Sequence, residues 1–337
     1  MANGDLIKLG TFYLGGVKKA RPWYPWSYDD QPPGTWRKGD IHKYTTGESI
    51  EIRNTDTNDD YKIHWREVTI DGRKLLICDR VLLAYVSWDE LNAQGLIFGK
   101  SVTIDGFKFK MRVLTGGTNF RITNDNYSGG TPTSNEWDQI IANESNFSGL
   151  PKPSASDLDT TRDATDLNSQ HNAFWNWYSI YSRCQETHAR VGGQANRTIR
   201  GFHSAKYYAA NAADSKTAFS GWRPVLEKEP PTLTLTTTDH QTLSEGKVLS
   251  ITGSASGVDN GDVLTVKYKI NSGTVRNIAS GVVNGTPLSF AKNLTFRNKR
   301  LHDGTTEVTV DLAENVDHTL TVWAEDDKGG KSAEVTR

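Results

Sequence analysis

Glu67-Val68-Thr69-Ile70-Asp71-Gly72-Arg73-Lys74-Leu75-Leu76-Ile77-Cys78 places an Asp-Gly pair between two apolar-rich runs. Asp-Gly supplies the two positive-φ positions of a tight hairpin turn, so the stretch predicts a pair of antiparallel strands. The hairpin is expected from Glu67 to Val86, with Leu75, Ile77, Val81 and Leu83 as its apolar strand positions. Asp105-Gly106 repeats the signal and predicts a second hairpin from Val102 to Leu114, so the pattern from Ile50 to Leu114 is β. Between the hairpins, Ser87-Trp88-Asp89-Glu90 has the capping-box pattern and Gly95 can end a short helix. Thr133-Ser134-Asn135-Glu136 is a further helix start, followed by Trp137, Ile140 and Ile141 at helical spacing and closed by Pro151 and Pro153.

The flanks read differently. Residues 1–45 mix Gly, Pro and aromatics, as in Arg21-Pro22-Trp23-Tyr24-Pro25-Trp26 and Gln31-Pro32-Pro33-Gly34. Prolines at that density predict an irregular arm pinned by its aromatics. Residues 154–170 are polar and Asp-rich, as a surface loop would be. An aromatic run follows, Phe174, Trp175, Trp177, Tyr178 and Tyr181, and the domain closes at Gly221-Trp222-Arg223-Pro224-Val225-Leu226-Glu227. Lys228 to Pro231 reads as a charged, proline-bearing linker. Nine of the ten tryptophans precede it, and only Trp323 follows. From Thr232 onward, strand-like segments (Leu233–Thr237, Val248–Thr252, Leu264–Ile270, Val308–Leu312, Thr319–Ala324) are separated in part by Asp259-Asn260-Gly261 and Lys328-Gly329-Gly330. That spacing predicts an immunoglobulin-like β-sandwich of the cysteine-free type.

Lys+Arg is 39 and Asp+Glu 40, a net charge of −1 that argues for no nucleic acid and no strongly charged partner. Cys78 and Cys184 are the two cysteines, too few for a disulfide framework; reduced buried thiols are favoured over a single bridge. No apolar run follows a basic start, so no signal peptide is expected, and no stretch is long and apolar enough for membrane insertion.

Catalytic signatures are missing. There is no Gly-x-Ser-x-Gly elbow, phosphate-binding glycine loop or His-Glu-x-x-His helix, and His188 and His203 read as ordinary surface or half-buried residues. Asp259-Asn260-Gly261-Asp262 and Glu325-Asp326-Asp327 offer hard oxygen ligands that could meet at one end of the sandwich and hold calcium. Asp, Asn and Gly are equally what turns require, so no metal and no cofactor is assigned.

Trp175-Asn176-Trp177, Arg200-Gly201-Phe202 and Gly221-Trp222-Arg223 resemble the motif set of the C-type lectin-like superfamily that includes formylglycine-generating enzymes and phage tropism determinants. Asn135-Glu136-Trp137 resembles that superfamily's upstream helix, and residues 1–227 are similar to proteins of Bacillus-type phages and prophages with the same closing motif. In a domain with little regular structure, large aromatics supply the core, and an arginine can tie loop carbonyls with its five donors. Trp175, Trp177, Arg200, Gly201, Gly221, Trp222 and Arg223 are therefore expected to hold the fold. The active oxidases need a reactive cysteine pair, which Cys78 and Cys184 do not match by position. The Glu-Pro-Asn, Gln-Pro-Asp and Trp-Asn-Asp elements of calcium-dependent lectins are also lacking. What the resemblance leaves is the phage members' display of a variable loop surface. Here the loop runs from His203 to Ser215, with Ser204, Tyr207, Tyr208, Asn211 and Ser215 as candidate ligand-binding residues, because Tyr, Ser and Asn suit adaptable recognition.

The expected architecture is thus an α+β C-type lectin-like domain at 1–227, a linker at 228–231 and an all-β immunoglobulin-like sandwich at 232–337. The expected function is that of a non-enzymatic virion or tailocin surface component. It would bind a bacterial cell-surface glycan or protein, or other virion proteins, and is compatible with a homo-oligomer. A purely structural decoration protein, and a glycan hydrolase or relative of the oxidases, are the alternatives.

Overall fold

The computed structural model describes residues 2–25, 39–158, 169–189, 196–259, 261–327 and 329–337. Trp26, the Gln31–Gly34 part of the arm, most of the Asp-rich 154–170 loop, Asn260 and Lys328 lie outside the described residues. The chain divides into two compact units: Met1–Ile70 with Leu75–Asp105 and Phe109–Glu227, and a second whose main body is Lys228–Arg337.

The first unit is not the α+β domain expected for residues 1–227. Among the described residues its helices are two six-residue α-helices, Trp88–Ala93 and Gln170–Trp175, one five-residue π-helix, Trp137–Ile141, and two three-residue 3-10 turns. The remaining regular structure is strand. The misleading signal was the spacing of Trp137, Ile140 and Ile141: Asp138 is buried as well and only Gln139 is partly exposed, so the segment lacks an exposed polar face and makes a single wide turn in the core.

The two Asp-Gly turns behave as their backbone demands. Asp71 and Gly72 have φ of 49° and 73°, Asp105 and Gly106 of 52° and 84°. Each joins adjacent strands, Lys62–Ile70 to Arg73–Cys78 and Lys100–Ile104 to Phe107–Arg112. Val81 and Leu83 lie beyond the first hairpin, and Leu83–Ala84 belongs to another sheet. Ser87 and Glu90 form the expected reciprocal capping box.

In the eight-stranded sheet the order is Val17–Lys18, Leu6–Leu14, Lys62–Ile70, Arg73–Cys78, Val225–Lys228, Phe107–Arg112, Lys100–Ile104, with Ile50–Arg53 also paired to Leu6–Leu14. The arm expected at 1–45 is therefore partly regular, since Leu6–Leu14 is a nine-residue strand inside this sheet. A six-stranded sheet runs Tyr208–Ala212, Asn196–Gly201, Tyr181–Thr187, Ser220–Trp222, Leu83–Ala84, His42–Lys43. Asn119–Ile122 and Asp125–Thr131 form a separate hairpin. Trp65, Trp137, Trp175 and Trp222 are all fully buried, so the core is carried by large indoles.

The second unit has two antiparallel sheets over a shared apolar core. One runs Thr232–Leu235, Val248–Ser256, Leu288–Arg297, Arg300–Asp303, Thr306–Glu307; the other Arg276–Val283, Asp262–Ile270, Leu320–Asp326, Val335–Thr336. Asp262–Ile270 alternates strictly, with Asp262, Leu264, Val266, Tyr268 and Ile270 facing inward. Val308–Leu312 is not a strand, although Val308 and Leu312 are buried, and Arg276–Val283 and Leu288–Arg297 are strands that the weak apolar pattern there did not announce.

Candidate functional site

Arg200 and Arg223 organise the region around the six-stranded sheet. Arg200 is fully buried, and its Nη2 pairs with Asp138 Oδ1, itself fully buried. Its other donors reach the carbonyls of Gly116 at 2.7 Å, Lys206 at 3.1 Å and Tyr207 at 3.2 Å. Asp138 also accepts from Gly130 N at 2.8 Å, Asn135 Nδ2 at 2.8 Å and Arg121 Nη2 at 3.0 Å. Burial alone would raise the Asp138 pKa, but the Arg200 charge and these hydrogen bonds outweigh it and hold the carboxyl below its usual range.

Among the described residues Arg223 has neutral acceptors: the carbonyls of Trp175 at 2.7 Å, Asn176 at 3.0 Å and Cys78 at 3.1 Å, and Ser182 Oγ at 2.9 Å. Burial pulls its guanidinium down to about 10, still protonated at neutral pH. Gly221 is enclosed so tightly that a Cβ would stand 2.1 Å from the Leu83 carbonyl oxygen, and Gly201 has φ of 90°. Trp175, Trp177 and Trp222 are buried beside them. The two motif arginines therefore turn inward and hold backbone carbonyls, while the motif tryptophans fill the core.

The loop from His203 to Ser215 splits the candidate ligand residues. Tyr208 and Ser204 are fully buried, which corrects their assignment to a binding surface. Tyr208 faces inward because it pairs across the sheet with Arg200, and its hydroxyl meets Thr198 Oγ1 and His188 Nδ1, each at 3.0 Å. Burial pushes that phenol up to about 12. Ser204 lies beneath the same turn, its Oγ accepting from Lys206 N at 3.3 Å. Tyr207, Asn211 and Ser215 are half-buried; the Ser215 carbonyl is held by Arg183.

Tyr207 keeps other company. Its ring centroid lies 4.7 Å from that of His203, 4.8 Å from Tyr127 and 6.1 Å from Tyr181. Tyr181 in turn stacks on Phe202 at 4.7 Å with an interplanar angle of 16°. Tyr127, Tyr181, His203 and Tyr207 are all half-buried and form one aromatic face supported from beneath by Phe202. Phe202 has φ of 79°, a conformation that costs a bulky residue about 1–3 kcal/mol. It is fixed there by its N–H to the Trp177 carbonyl and by Ser179 N–H to its own carbonyl, both at 2.9 Å. Such a face can stack against flat apolar surfaces, sugar rings included, while phenol and imidazole edges hydrogen-bond. Sequence reading missed Tyr127, Tyr181 and His203, since only the fold brings them to Tyr207.

Elsewhere the buried chemistry is quiet. Cys78 and Cys184 are free and fully buried; burial raises the first thiol to about 12 and the second well above its ordinary value, so neither is a nucleophile at neutral pH. In the second unit the acidic loops do meet, but around the chain's own ammonium. Lys228 Nζ lies 3.0 Å from Asp326 Oδ2, 3.8 Å from Asp262 Oδ1 and 4.0 Å from Asp259 Oδ2, and all four residues are buried. Glu325 is directed instead to Lys267 and Trp323, and Asp327 to the Val263 amide. Among the described residues no group of three or more His, Cys, Asp or Glu is arranged to hold a metal ion. Lys228, the last residue of strand Val225–Lys228, is grouped with the second unit.

Three imidazoles of the first unit set an acid limit on its stability. Trp177 donates its indole N–H to His171 Nδ1 at 2.9 Å, which leaves Nε2 to donate to the Ile141 carbonyl at 2.7 Å and the ring neutral. Burial holds His42, His64 and His171 below the usual imidazole range, His64 down to about 4. In the unfolded chain these rings titrate near about 6.5. Their stabilising contribution is complete above that pH and declines as the pH falls, with that of His64 lost by about 4, because the unfolded state binds the protons the folded state refuses. The urea midpoint is expected to be lower at pH 5 than at pH 7.5, and His64→Gln should shrink the difference. A midpoint independent of pH across that window would contradict the assignment of neutral imidazoles.

Compared with protein-family models, characterised proteins and solved structures, the chain matches none.

Proposed function

We propose that the chain is a non-catalytic recognition protein of a phage or prophage particle, and that its first unit binds a bacterial surface component through the face made by Tyr127, Tyr181, His203 and Tyr207. One observation carries the reading: four half-buried aromatic rings gathered over Phe202, whose unfavourable backbone is fixed by hydrogen bonds on both sides. Strain retained under a surface cluster of this kind points to pre-organisation for binding. The motif residues Arg200, Gly201, Trp222 and Arg223 make the support rigid, and their likeness to the motifs of phage tropism determinants supports the virion setting. A rigid aromatic surface presents contact area at low entropic cost.

Purified host cell walls and intact cells supply the test. Tyr207→Ala and Tyr181→Ala should weaken adsorption by about tenfold or more, as truncating central interface aromatics does, with little change in melting temperature. Tyr208→Ala should instead lose about 3–5 kcal/mol of stability, the cost of emptying a large buried aromatic site. Wild-type adsorption by folded Tyr207→Ala and Tyr181→Ala proteins would remove the aromatic face from the function.

A further inference from the structure

Charge is out of balance in another part of the first unit. Strand Lys62–Ile70 alternates, so Lys62, His64 and Arg66 share one face. Asp79 and Arg80 follow the paired strand Arg73–Cys78, and Arg21 lies just beyond Val17–Lys18. Arg80 grips Asp79 with Nε at 2.6 Å and Nη2 at 2.8 Å, and its Nη1 reaches the Pro22 carbonyl at 2.6 Å. That consumes the one buried carboxylate of the group. His64 Nδ1 stands 4.0 Å from the same carboxylate, and its ring is neutral at pH 7.

Arg66 donates from Nη1 to the Gly4 carbonyl at 3.2 Å and lies over the Phe174 ring at 3.9 Å, but its buried Nε has no acceptor. Arg21 is 9 % exposed, its buried Nε has no acceptor, and among the described residues no hydrogen bond or ion pair engages its guanidinium. The Trp23 ring lies against it, at 5.2 Å. Asp40 is the other acid facing Arg21 and Arg80, and both of its oxygens already accept backbone N–H groups, from Trp23 at 2.8 Å and Tyr24 at 2.7 Å. Among the described residues three guanidiniums thus share one closely paired carboxylate, and one of the three is buried with no hydrogen-bonding partner. Removing an unpaired charge from water is costly unless something compensates it.

We propose that Arg21, Arg66 and Arg80 form a binding site for a phosphate group, either free or carried on a polymer. Guanidinium donors approaching from three chain segments suit a tetrahedral oxyanion better than a flat carboxylate, and charge-assisted bonds from arginine to phosphate are among the strongest available. The neutral His64 ring beside them supplies one further donor. Burial, and then the Arg80 charge, depress the Arg21 guanidinium, so an anion brought beside it would relieve both costs.

Thermal unfolding of the full chain at pH 7.5 tests this, with inorganic phosphate compared against chloride at matched ionic strength, and a short poly(glycerol phosphate) as the polymer probe. Saturable stabilisation by inorganic phosphate assigns the site to the free ion; stabilisation by the polymer alone assigns it to a carried phosphodiester. Arg21→Met discriminates further, because among the described residues it removes a charge and no hydrogen bond. In chloride the variant should melt at or above the wild-type temperature, while its affinity for the effective probe falls at least tenfold. No response of the wild type to either probe would overturn the proposal, as would an Arg21→Met protein that responds like the wild type.

Discussion

Asp138→Ala is expected to cost the first unit about 3–5 kcal/mol, the penalty of leaving a buried charge without its partner. Asp138 and Arg200 are both inaccessible to solvent, and Asp138 is the only acid whose carboxylate touches that guanidinium among the described residues. Removing it also deprives the Gly130 amide of its Asp138 Oδ2 acceptor at 2.8 Å, and takes from Asn135 Nδ2 one of its two acceptors, the Pro132 carbonyl remaining. The loop carrying Lys206 and Tyr207 is tied to the same guanidinium, so the variant should loosen the aromatic face as well as lower the urea midpoint. Asp138→Ala combined with Arg200→Met should recover part of the loss, because the double variant buries no uncompensated charge. Glu144→Ala is the reference, since that carboxylate pairs with Arg121 and Lys206 nearer the surface and should cost about 1 kcal/mol or less. A change of less than about 1 kcal/mol for Asp138→Ala would show that the pair does not anchor the unit.

What could be read in advance was whatever a few neighbouring residues decide. Asp71-Gly72 and Asp105-Gly106 fix their turns because both positions need positive φ, and Ser87 with Glu90 caps a helix through bonds spanning three residues. Trp137, Ile140 and Ile141 misled because helical spacing alone does not distinguish an amphipathic helix from one wide, mostly buried turn. Tyr207 and Tyr208 show the limit within a single strand end. Adjacent residues must face opposite ways, but which one enters the core is decided by pairing with Arg200, and that pairing is tertiary. The aromatic face is less legible still, since Tyr127 and Tyr207 meet only after two separate hairpin-like segments come together. The same holds for Arg21 and Arg66, whose missing counter-charge becomes visible only once burial is known.

Lys228→Met is expected to have the second large effect, this time in the second unit. Asp262 begins the inward-facing series of its strand, Asp326 ends the strand that pairs with it at Leu264, and Asp259 sits three residues before Asp262. Their carboxylates are buried together, and the Lys228 ammonium is the cation within 4.0 Å of all three. A methionine fills the volume of the lysine stem but leaves the acids facing one another, a loss of about 3–5 kcal/mol for a broken buried pair. Hydrogen exchange should show it as faster exchange in Asp262–Ile270 and Leu320–Asp326, with the first unit's strands unaffected. Lys228→Met with Asp326→Asn should restore part of the protection, since the nearest acid is then neutral. Unchanged exchange in Lys228→Met would mean that the carboxylates do not depend on the ammonium. The same reasoning sets the shortest independent form of the second unit. A fragment beginning at Glu229 discards the cation its acids surround, whereas one beginning at Lys228 keeps it, so only the longer of the two should unfold cooperatively.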